Sequence, residues 1–470
     1  MTRKFLELYW RLPPALQTVA AGAYGWRLAR RRYGPETEDL IAEMREAERL
    51  APSARDARQG EQLAETLWRA ARSVPYYREL WARRRARGVR LPVERLESWP
   101  LLTKQEVRAQ PEAFVDDDAW RRSLSVERTS GTTGTPLRLY RSRRTLRARY
   151  ALYEVRHRGW YGVSRQDRWA MLGGRLVAGP GAQEPPYWVW NPSLRQLYVS
   201  SYHLRPDQAL RSAREIVRRE CRYLWGYPSS LTELARAVEG AGLGYSPEVV
   251  ITNAEPLSQE QRALIERAFR APCRETYGMV ELVAGAGECE AGTLHVFPEL
   301  GRLELLEDDF ASAAGEIVAT SLLDADMPLI RYRTGDFGGP LLPEPCPCGR
   351  TLPVLARVQG RQDDLLRARD GRPVGRLDPA FKDDLPIVEC QIVQESLERV
   401  RVLVVPAHGF DAAAQRRLAG ALRDRLGDLE VVIECVIRIP RGPNGKFRAC
   451  VSTLPPSEGL AKEAVCSSRF

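Results

Sequence analysis

Thr129 to Pro136 read TSGTTGTP, and Arg331 to Asp336 read RYRTGD about two hundred residues later. Five hydroxyls and two glycines in eight residues make the first stretch too polar and too flexible for a packed core. The same composition suits a loop that wraps phosphate oxygens with backbone N–H groups and hydroxyl donors. A Ser/Thr/Gly cluster alone reads equally as a polar surface turn, so the reading depends on the rest of the chain. No Gly-Lys-Ser/Thr follows the loop, which separates it from a Walker motif.

After that loop the chain alternates short apolar runs with helical patterns. Arg168 to Leu172 and Glu248 to Thr252 predict strands, and Asp207 to Arg218 and Ser258 to Ala268 predict helices. Such alternation predicts an α/β sheet covered by helices. Upstream, the first hundred residues read as helical, and PLLTKQEVRAQP at Pro100 to Pro111 starts a helix with Thr103 as N-cap and Glu106 three residues on. Beyond Gly360, Ile387 to Gln394, Arg399 to Val405 and Leu429 to Ile439 predict strands and Ala412 to Leu426 a helix, a compact unit of about 110 residues. The expected fold class is α/β: a large N-terminal domain of sheets covered by helices, joined by a hinge to a small C-terminal α+β domain. Residues 1–100 form the helical part of the large domain, 101–361 its core, and 362–470 the small mobile domain, with the last fifteen residues a frayed tail.

Lys and Arg exceed Asp and Glu by 71 − 61 = 10, and the arginines are spread through helical stretches such as Arg83 to Arg90. A basic surface suits ATP, coenzyme A or other anionic ligands, and equally reads as a solvated Arg-rich exterior. No stretch reaches the roughly 20 apolar residues of a membrane helix, and the N-terminus has no signal-peptide core, so a cytoplasmic protein is expected. Nine cysteines, an odd number in a long chain, argue for reduced thiols, some bound to metal, over a disulfide framework. The basic, aromatic segment Leu6 to Arg32 reads either as a helix resting on a membrane surface or as one packing its apolar side on the main domain.

Six segments then follow in order: TSGTTGTP at 129–136, NAEPL at 253–257, ETYGMVE at 275–281, RYRTGD at 331–336, GRQDD at 360–364 and PRGPNGK at 440–446. This ordered set resembles the adenylate-forming superfamily of acyl-CoA synthetases, luciferases and peptide-synthetase adenylation domains. Within it the chain is most similar to the phenylacetate–CoA ligase branch, including CapK-like proteins, whose N-terminal pattern LYWRLPP…RRRYG it shares. The resemblance implies an enzyme that activates a carboxylic acid with ATP as an acyl adenylate and passes the acyl group to coenzyme A. Ser130, Thr132 and Thr133 would donate hydroxyls to the phosphates, while Gly131 and Gly134 let the backbone approach. Relatives often carry Lys where this chain has Thr135, so the loop offers no cation of its own. Ala254, Glu255 and Pro256 would line the adenine pocket. In the YGxxE pattern, Tyr277 and Gly278 would lie against the adenine and Glu281 would help hold Mg²⁺. Asp336 would accept hydrogen bonds from the ribose hydroxyls, and Arg361 would contact the nucleotide. Asp363 matches the hinge position, and Lys446 would bridge the substrate carboxylate and the phosphate during adenylation. Nucleic acid is not expected as a partner.

Cys289 and His295 in CEAGTLH, with Cys346 and Cys348 in PCPCGR, form two short pairs that make a Cys₃His zinc set if the fold brings them together. The aromatic stretches Pro185 to Trp190, Tyr198 to His203 and Trp225 to Tyr227 supply candidate walls for an acyl pocket and suggest an aromatic or apolar acid. Two other outcomes stay open: a ligase passing the acyl group to an amine, an alcohol or a carrier protein, and a basic scaffold protein that keeps the fold without turnover.

Overall fold

The computed structural model describes residues 3–119, 124–128, 137–175, 177–179, 182, 184–201, 203–306, 315–339, 341–342, 346–356, 358–361, 366–367, 373–374, 385–440 and 450–454. One compact unit runs to Gln359 and another begins at Gly360.

In the first unit, Pro14, Pro52 and Pro75 open the helices Pro14–Arg32, Pro52–Ser73 and Pro75–Ala86. Proline is tolerated at that position because the N–H it lacks has no intrahelical acceptor. The second and third of these helices contribute Leu67, Tyr77 and Trp81, and the residue between them Val74, to a core shared with Trp99, Phe114, Ile317 and Tyr332. Trp99 meets Tyr77 and Trp81 edge-on, with ring centroids 5.3 and 5.2 Å apart. Each such side chain contributes about 1.5–3 kcal/mol on burial. The short helix Lys104–Ala109 starts at a complete capping box, in which the Thr103 N–H donates to Glu106 and the Glu106 N–H to Thr103.

Five parallel strands form the centre of a ten-stranded sheet, in the spatial order Gln196–Ser200, Trp169–Gly173, Tyr223–Gly226, Val249–Thr252 and Cys273–Gly278. The helices Pro206–Arg218, Pro228–Gly240 and Gln259–Phe269 alternate with the last three strands in sequence. Leu231, Leu234, Ile265 and Phe269 from these helices share a core with Ala170, Leu224 and Val250 of the strands. The strand Trp188–Asn191 closes one edge antiparallel. On the other side Gly285–Glu288, Leu294–Val296, Val354–Leu355 and Leu341–Leu342 continue the sheet antiparallel. The α/β architecture and the strand and helix positions expected between residues 168 and 269 are present, each boundary within one residue of its expectation.

A second, four-stranded sheet orders Gly301–Leu306, Gly315–Ser321, Tyr332–Gly338 and Val358–Arg361. It is joined to the capping-box segment by the Leu102 N–H donating to the Arg331 carbonyl and the Arg333 N–H to the Leu102 carbonyl, both at 2.9 Å.

The second unit contains a sheet ordered Glu430–Cys435, Arg399–Pro406, Ile387–Gln394 and Cys450–Ser452, with the helix Ala412–Leu426 contributing Leu418, Leu422 and Leu426 to its core. Asp411 caps that helix by accepting the Ala414 N–H at 2.8 Å, and Gly427 ends it at φ 92°. The strand expected over Leu429 to Ile439 is shorter, Glu430–Cys435. Its partner strand ends at Pro406, which has no N–H for a further rung, and Ile437 stands 99% exposed.

Candidate active site

Parallel strands bring their C-terminal ends to one edge, where ligands of open α/β sheets bind. Here Tyr223–Gly226, Val249–Thr252 and Cys273–Gly278 are consecutive neighbours, so Tyr227, Asn253–Pro256 and Tyr277–Gly278 emerge side by side. The Asn253 N–H donates to the Gly226 carbonyl at 3.1 Å, and Thr276 Oγ1 to the Thr252 carbonyl at 2.6 Å, which holds the three ends in step. Ala254 sits at φ 66°, a left-handed conformation that is unusual for a residue with a Cβ and that recurs at functional turns. Ala254 and Pro256 are exposed. The Glu255 carboxylate accepts the Ser229 N–H at 3.1 Å and the Ser229 hydroxyl at 3.2 Å, anchoring the loop to the start of helix Pro228–Gly240. Glu255 therefore holds the turn in place, while Ala254 and Pro256 present its surface.

Tyr277 donates its hydroxyl to Asp336 Oδ2 at 2.8 Å. Asp336 is buried on the strand Tyr332–Gly338, and its own N–H donates to Thr334 Oγ1 at 3.0 Å. One turn beyond Tyr277, Glu281 is buried, with its Oε1 3.4 Å from the Tyr332 hydroxyl and 3.7 Å from Lys104 Nζ. Arg141 Nη2 donates to the Val280 carbonyl at 2.8 Å and Ser321 Oγ to the Leu282 carbonyl at 3.1 Å, fixing this turn from two sides. Tyr277, Glu281 and Asp336 are thus linked through Tyr332, the first residue of the strand that carries Asp336.

The two arginines of RYRTGD have structural partners. Arg331 donates to the Trp99 carbonyl at 2.9 Å and pairs with Glu304 at 2.9 Å, and Arg333 pairs with Glu316 at 2.5 Å. Arg361 ends the strand Val358–Arg361. Ser130, Gly131, Thr132, Thr133, Gly134, Asp363 and Lys446 lie outside the described residues. The strands flanking the hydroxyl-rich sequence in the chain, Ser125–Arg128 and Arg138–Arg141, pair antiparallel with Arg128 opposite Arg138.

Lys104 carries no sequence signal for a place beside Glu281, because the two are far apart in the chain and Lys104 falls inside a helix start read only for its cap. The aromatic stretches divide. Tyr187 stacks on His203 with centroids 5.3 Å apart, and both ring nitrogens of His203 are engaged, by Ser200 Oγ and the Gly179 carbonyl, each at 2.9 Å. Those two stretches occupy the outer strands and pack the fold there. Trp225 lies on Tyr223–Gly226, which has a parallel neighbour on each side, close to Tyr153 and His157, and its buried Nε1 meets no acceptor among the described residues.

Cys289, His295, Cys346 and Cys348 converge, their ligand atoms all within 4.8 Å of one another. Cys289 and Cys346 sulfurs stand 3.6 Å apart, and Cys348 Sγ lies 3.3 Å from His295 Nε2. His295 Nδ1 is 3.0 Å from the Leu352 carbonyl, which requires the proton on Nδ1 and leaves the Nε2 lone pair facing the sulfurs. Burial lowers the His295 pKa, favouring neutral imidazole, and raises the Cys289 thiol to about 11. The donor set, three sulfurs and one outward-held imidazole, fits tetrahedral zinc. His295 and Val354 are paired across adjacent strands, so the cluster sits on the antiparallel flank of the large sheet.

A model of the CapK C-terminal domain matches residues 369–453. Protein CapK of Staphylococcus aureus is 22% identical over 463 residues, covering 95% of this chain and 99% of that protein. Phenylacetate-coenzyme A ligase of Escherichia coli strain K12 is 28% identical over 336 residues, covering 67% and 72% of the two chains. The crystal structure of 2-hydroxyisobutyryl-CoA ligase in the postadenylation state, in complex with R3-HIB-AMP, superposes with a TM-score of 0.65 at 19% identity, over 86% of this chain and 91% of that one. At that identity the likeness is one of fold.

Proposed function

The chain belongs to the adenylate-forming superfamily, in the branch of CapK and the phenylacetate–CoA ligases, and from that membership we propose an enzyme that couples ATP to the activation of a carboxylic acid. The acid becomes an acyl adenylate, with pyrophosphate as the leaving group, and the acyl group then passes to the thiol of coenzyme A. The observation that carries this reading is the Tyr277–Asp336 pair at the C-terminal edge of the parallel strands, beside the strained Ala254 turn. A phenol ring with its hydroxyl held by a carboxylate offers an apolar face to adenine, and a carboxylate beside it is the kind of acceptor that ribose hydroxyls take.

The chemistry needs charge stabilisation and positioning more than bond-making by the protein. Glu281 has the surroundings of a cation ligand: it is buried, fixed by Tyr332, and already faces the Lys104 ammonium. Mg²⁺ bound there would neutralise charge developing on the phosphate oxygens. Ser130, Thr132 and Thr133 contribute hydroxyl donors to the same phosphates, Gly131 and Gly134 admit the backbone, and Arg361 supplies a fixed cation. Lys446, in the PNGK segment, bridges the acid carboxylate and the α-phosphate, and Asp363 serves as the hinge between the two steps. The Cys₃His cluster would hold structural zinc, and the ion would then join the segment after Glu281 to the one after Asp336. Trp225, with Tyr153 and His157, favours an aromatic or apolar acid. Eight free cysteines among the described residues accord with a reducing, cytoplasmic setting. No described helix is long and apolar enough to cross a membrane.

The test is acid-dependent exchange of labelled pyrophosphate into ATP over a panel of aromatic and aliphatic acids. Exchange should appear with at least one acid and be lost in Lys446→Ala. AMP release should then require coenzyme A. Release driven by an amine and indifferent to coenzyme A would replace the thiol acceptor, and silence across the panel would remove the ligase reading.

A further inference from the structure

Helix Pro14–Arg32 lies along the edge strand Trp188–Asn191 of the large sheet with its smallest residues inward. Gly22 and Gly25 are buried: a Cβ on Gly22 would come 3.1 Å from Pro192 Cγ, and one on Gly25 would collide with the Asn191 side chain. Ser193 Oγ donates to the Gly22 carbonyl at 2.9 Å. The close approach fixes which way the helix faces, and its large apolar residues point outward. Leu16 is 50% exposed, Val19 66% and Trp26 57%, with Ala23 exposed between them. Positions 16, 19, 23 and 26 follow one face of an α-helix. Leu8, Leu16, Val19, Tyr24 and Trp26 are five of the thirteen large apolar residues exposed among the described residues, so the exposure is concentrated here. A surface helix ordinarily does the reverse and turns its apolar face to the core.

Charge identifies what covers this face. From Leu8 to Pro35 the chain carries Arg11, Arg27, Arg30, Arg31 and Arg32 and no Asp or Glu. Arg27 and Arg30 are exposed, and the Arg30 guanidinium lies 4.5 Å over the Trp26 ring. A second copy of the chain would bring arginines against arginines. An anionic lipid surface supplies both an apolar layer and phosphates at the depth where tryptophan and arginine settle. We propose that this face rests on an anionic bilayer, with Leu16, Val19 and Trp26 at the headgroup–acyl boundary and Arg27 and Arg30 among the phosphates. The enzyme would then act at a membrane surface without a spanning segment.

The experiment is co-sedimentation of the full-length protein with vesicles made of equal parts phosphatidylcholine and phosphatidylglycerol, against phosphatidylcholine alone. Binding should require the anionic lipid and weaken with salt. Val19→Ser/Trp26→Ser and, separately, Arg27→Glu/Arg30→Glu should each lower the partition coefficient by at least about tenfold. All four positions are exposed and distant in sequence from the proposed catalytic segments, so pyrophosphate exchange should be unchanged and serves as the check on folding. Absence of vesicle binding by the parent chain, or binding equal in the variants, overturns the proposal. A dimer that the variants dissolve, without vesicle binding, assigns the face to self-association instead. Because the readout is lipid binding, failure here leaves the ligase reading untouched, and failure of exchange leaves this one standing.

Discussion

The Tyr277 hydroxyl donates to Asp336 Oδ2 across 2.8 Å, and this bond joins the last parallel strand of the ten-stranded sheet to the four-stranded sheet. Two segments separated by most of a sheet in sequence thereby become one surface. The bond also orients the Tyr277 ring and the Asp336 carboxylate relative to each other.

Substitutions should separate those two contributions. Asp336→Ala removes an acceptor whose bonds to hydroxyls are charge-assisted, each worth about 1.5–3 kcal/mol. In pyrophosphate exchange, kcat/KM for ATP should fall roughly ten- to a hundredfold. Tyr277→Phe keeps the ring and loses only the neutral donor, so a fall of about fivefold is expected. Steady-state kinetics at varied ATP decides it: if the Phe variant is as damaged as the Ala variant, ring stacking is not what Tyr277 contributes.

Glu281 and Lys104 give a second contrast. Glu281→Gln keeps the shape and the Tyr332 contact but loses the charge, so the Mg²⁺ concentration for half-maximal exchange should rise about tenfold or more. Lys104→Met removes the cation that stands 3.7 Å from the same carboxylate, and should lower that concentration or leave it unmoved. A Mg²⁺ titration of exchange reads both. An unchanged requirement in Glu281→Gln would take Glu281 out of the metal site.

The Cys₃His cluster predicts one zinc ion per chain, measured by elemental analysis after gel filtration. Cys346→Ser should lose the metal and melt about 5 °C or more below the parent chain, since ligand loss removes binding energy from the folded state alone. Chelation of the parent chain should reproduce the shift. A parent chain that carries no zinc as isolated, and whose melting temperature chelation leaves unchanged, would make these four residues ordinary side chains.

What the sequence discloses follows the range of the interactions. The Thr103–Glu106 capping box and the Asp411 cap are local, and their residues spell them out. The alternation through 168–269 is equally direct because the strands Trp169–Gly173, Tyr223–Gly226 and Val249–Thr252 are buried on both faces. The meeting of Cys289 and His295 with Cys346 and Cys348 is legible as chemistry, since two unpaired donor pairs invite a common partner. Lys104 beside Glu281 is not legible, because nothing local couples residues on different elements. Nor is the orientation of helix Pro14–Arg32: its pattern is amphipathic, yet Gly22 and Gly25 meeting Asn191 and Pro192 decide which side faces in. The arginines of RYRTGD are a similar case, committed to Trp99, Glu304 and Glu316 by the tertiary fold alone.

His157 supplies a prediction in pH. Its ring is buried among Tyr153, Trp225 and Phe297, with centroids 5.1, 5.5 and 5.3 Å away, and its Nδ1 has no hydrogen-bond partner among the described residues. Burial pushes its pKa down to about 3, and the neighbouring Arg158 and Arg156 cations act in the same direction. The folded protein therefore binds this proton only near pH 3, whereas the unfolded chain takes it up near 6.5. Between those values the unfolded state binds more protons, so stability rises with pH there and is progressively lost on acidification. Above pH 6.5 the group is neutral in both states and contributes no slope. His157→Phe keeps an aromatic ring in the cluster and removes the titration. Denaturant melts of the two proteins at pH 4, 5, 6 and 7.5 should give a parent curve that falls more steeply toward acid, by up to roughly 1.4 kcal/mol per pH unit from this group. Any change in packing offsets the variant at pH 7.5, but that offset is pH-independent. Parallel curves from pH 4 to 7.5 would show that His157 reaches a proton, or a partner for Nδ1, within the folded protein.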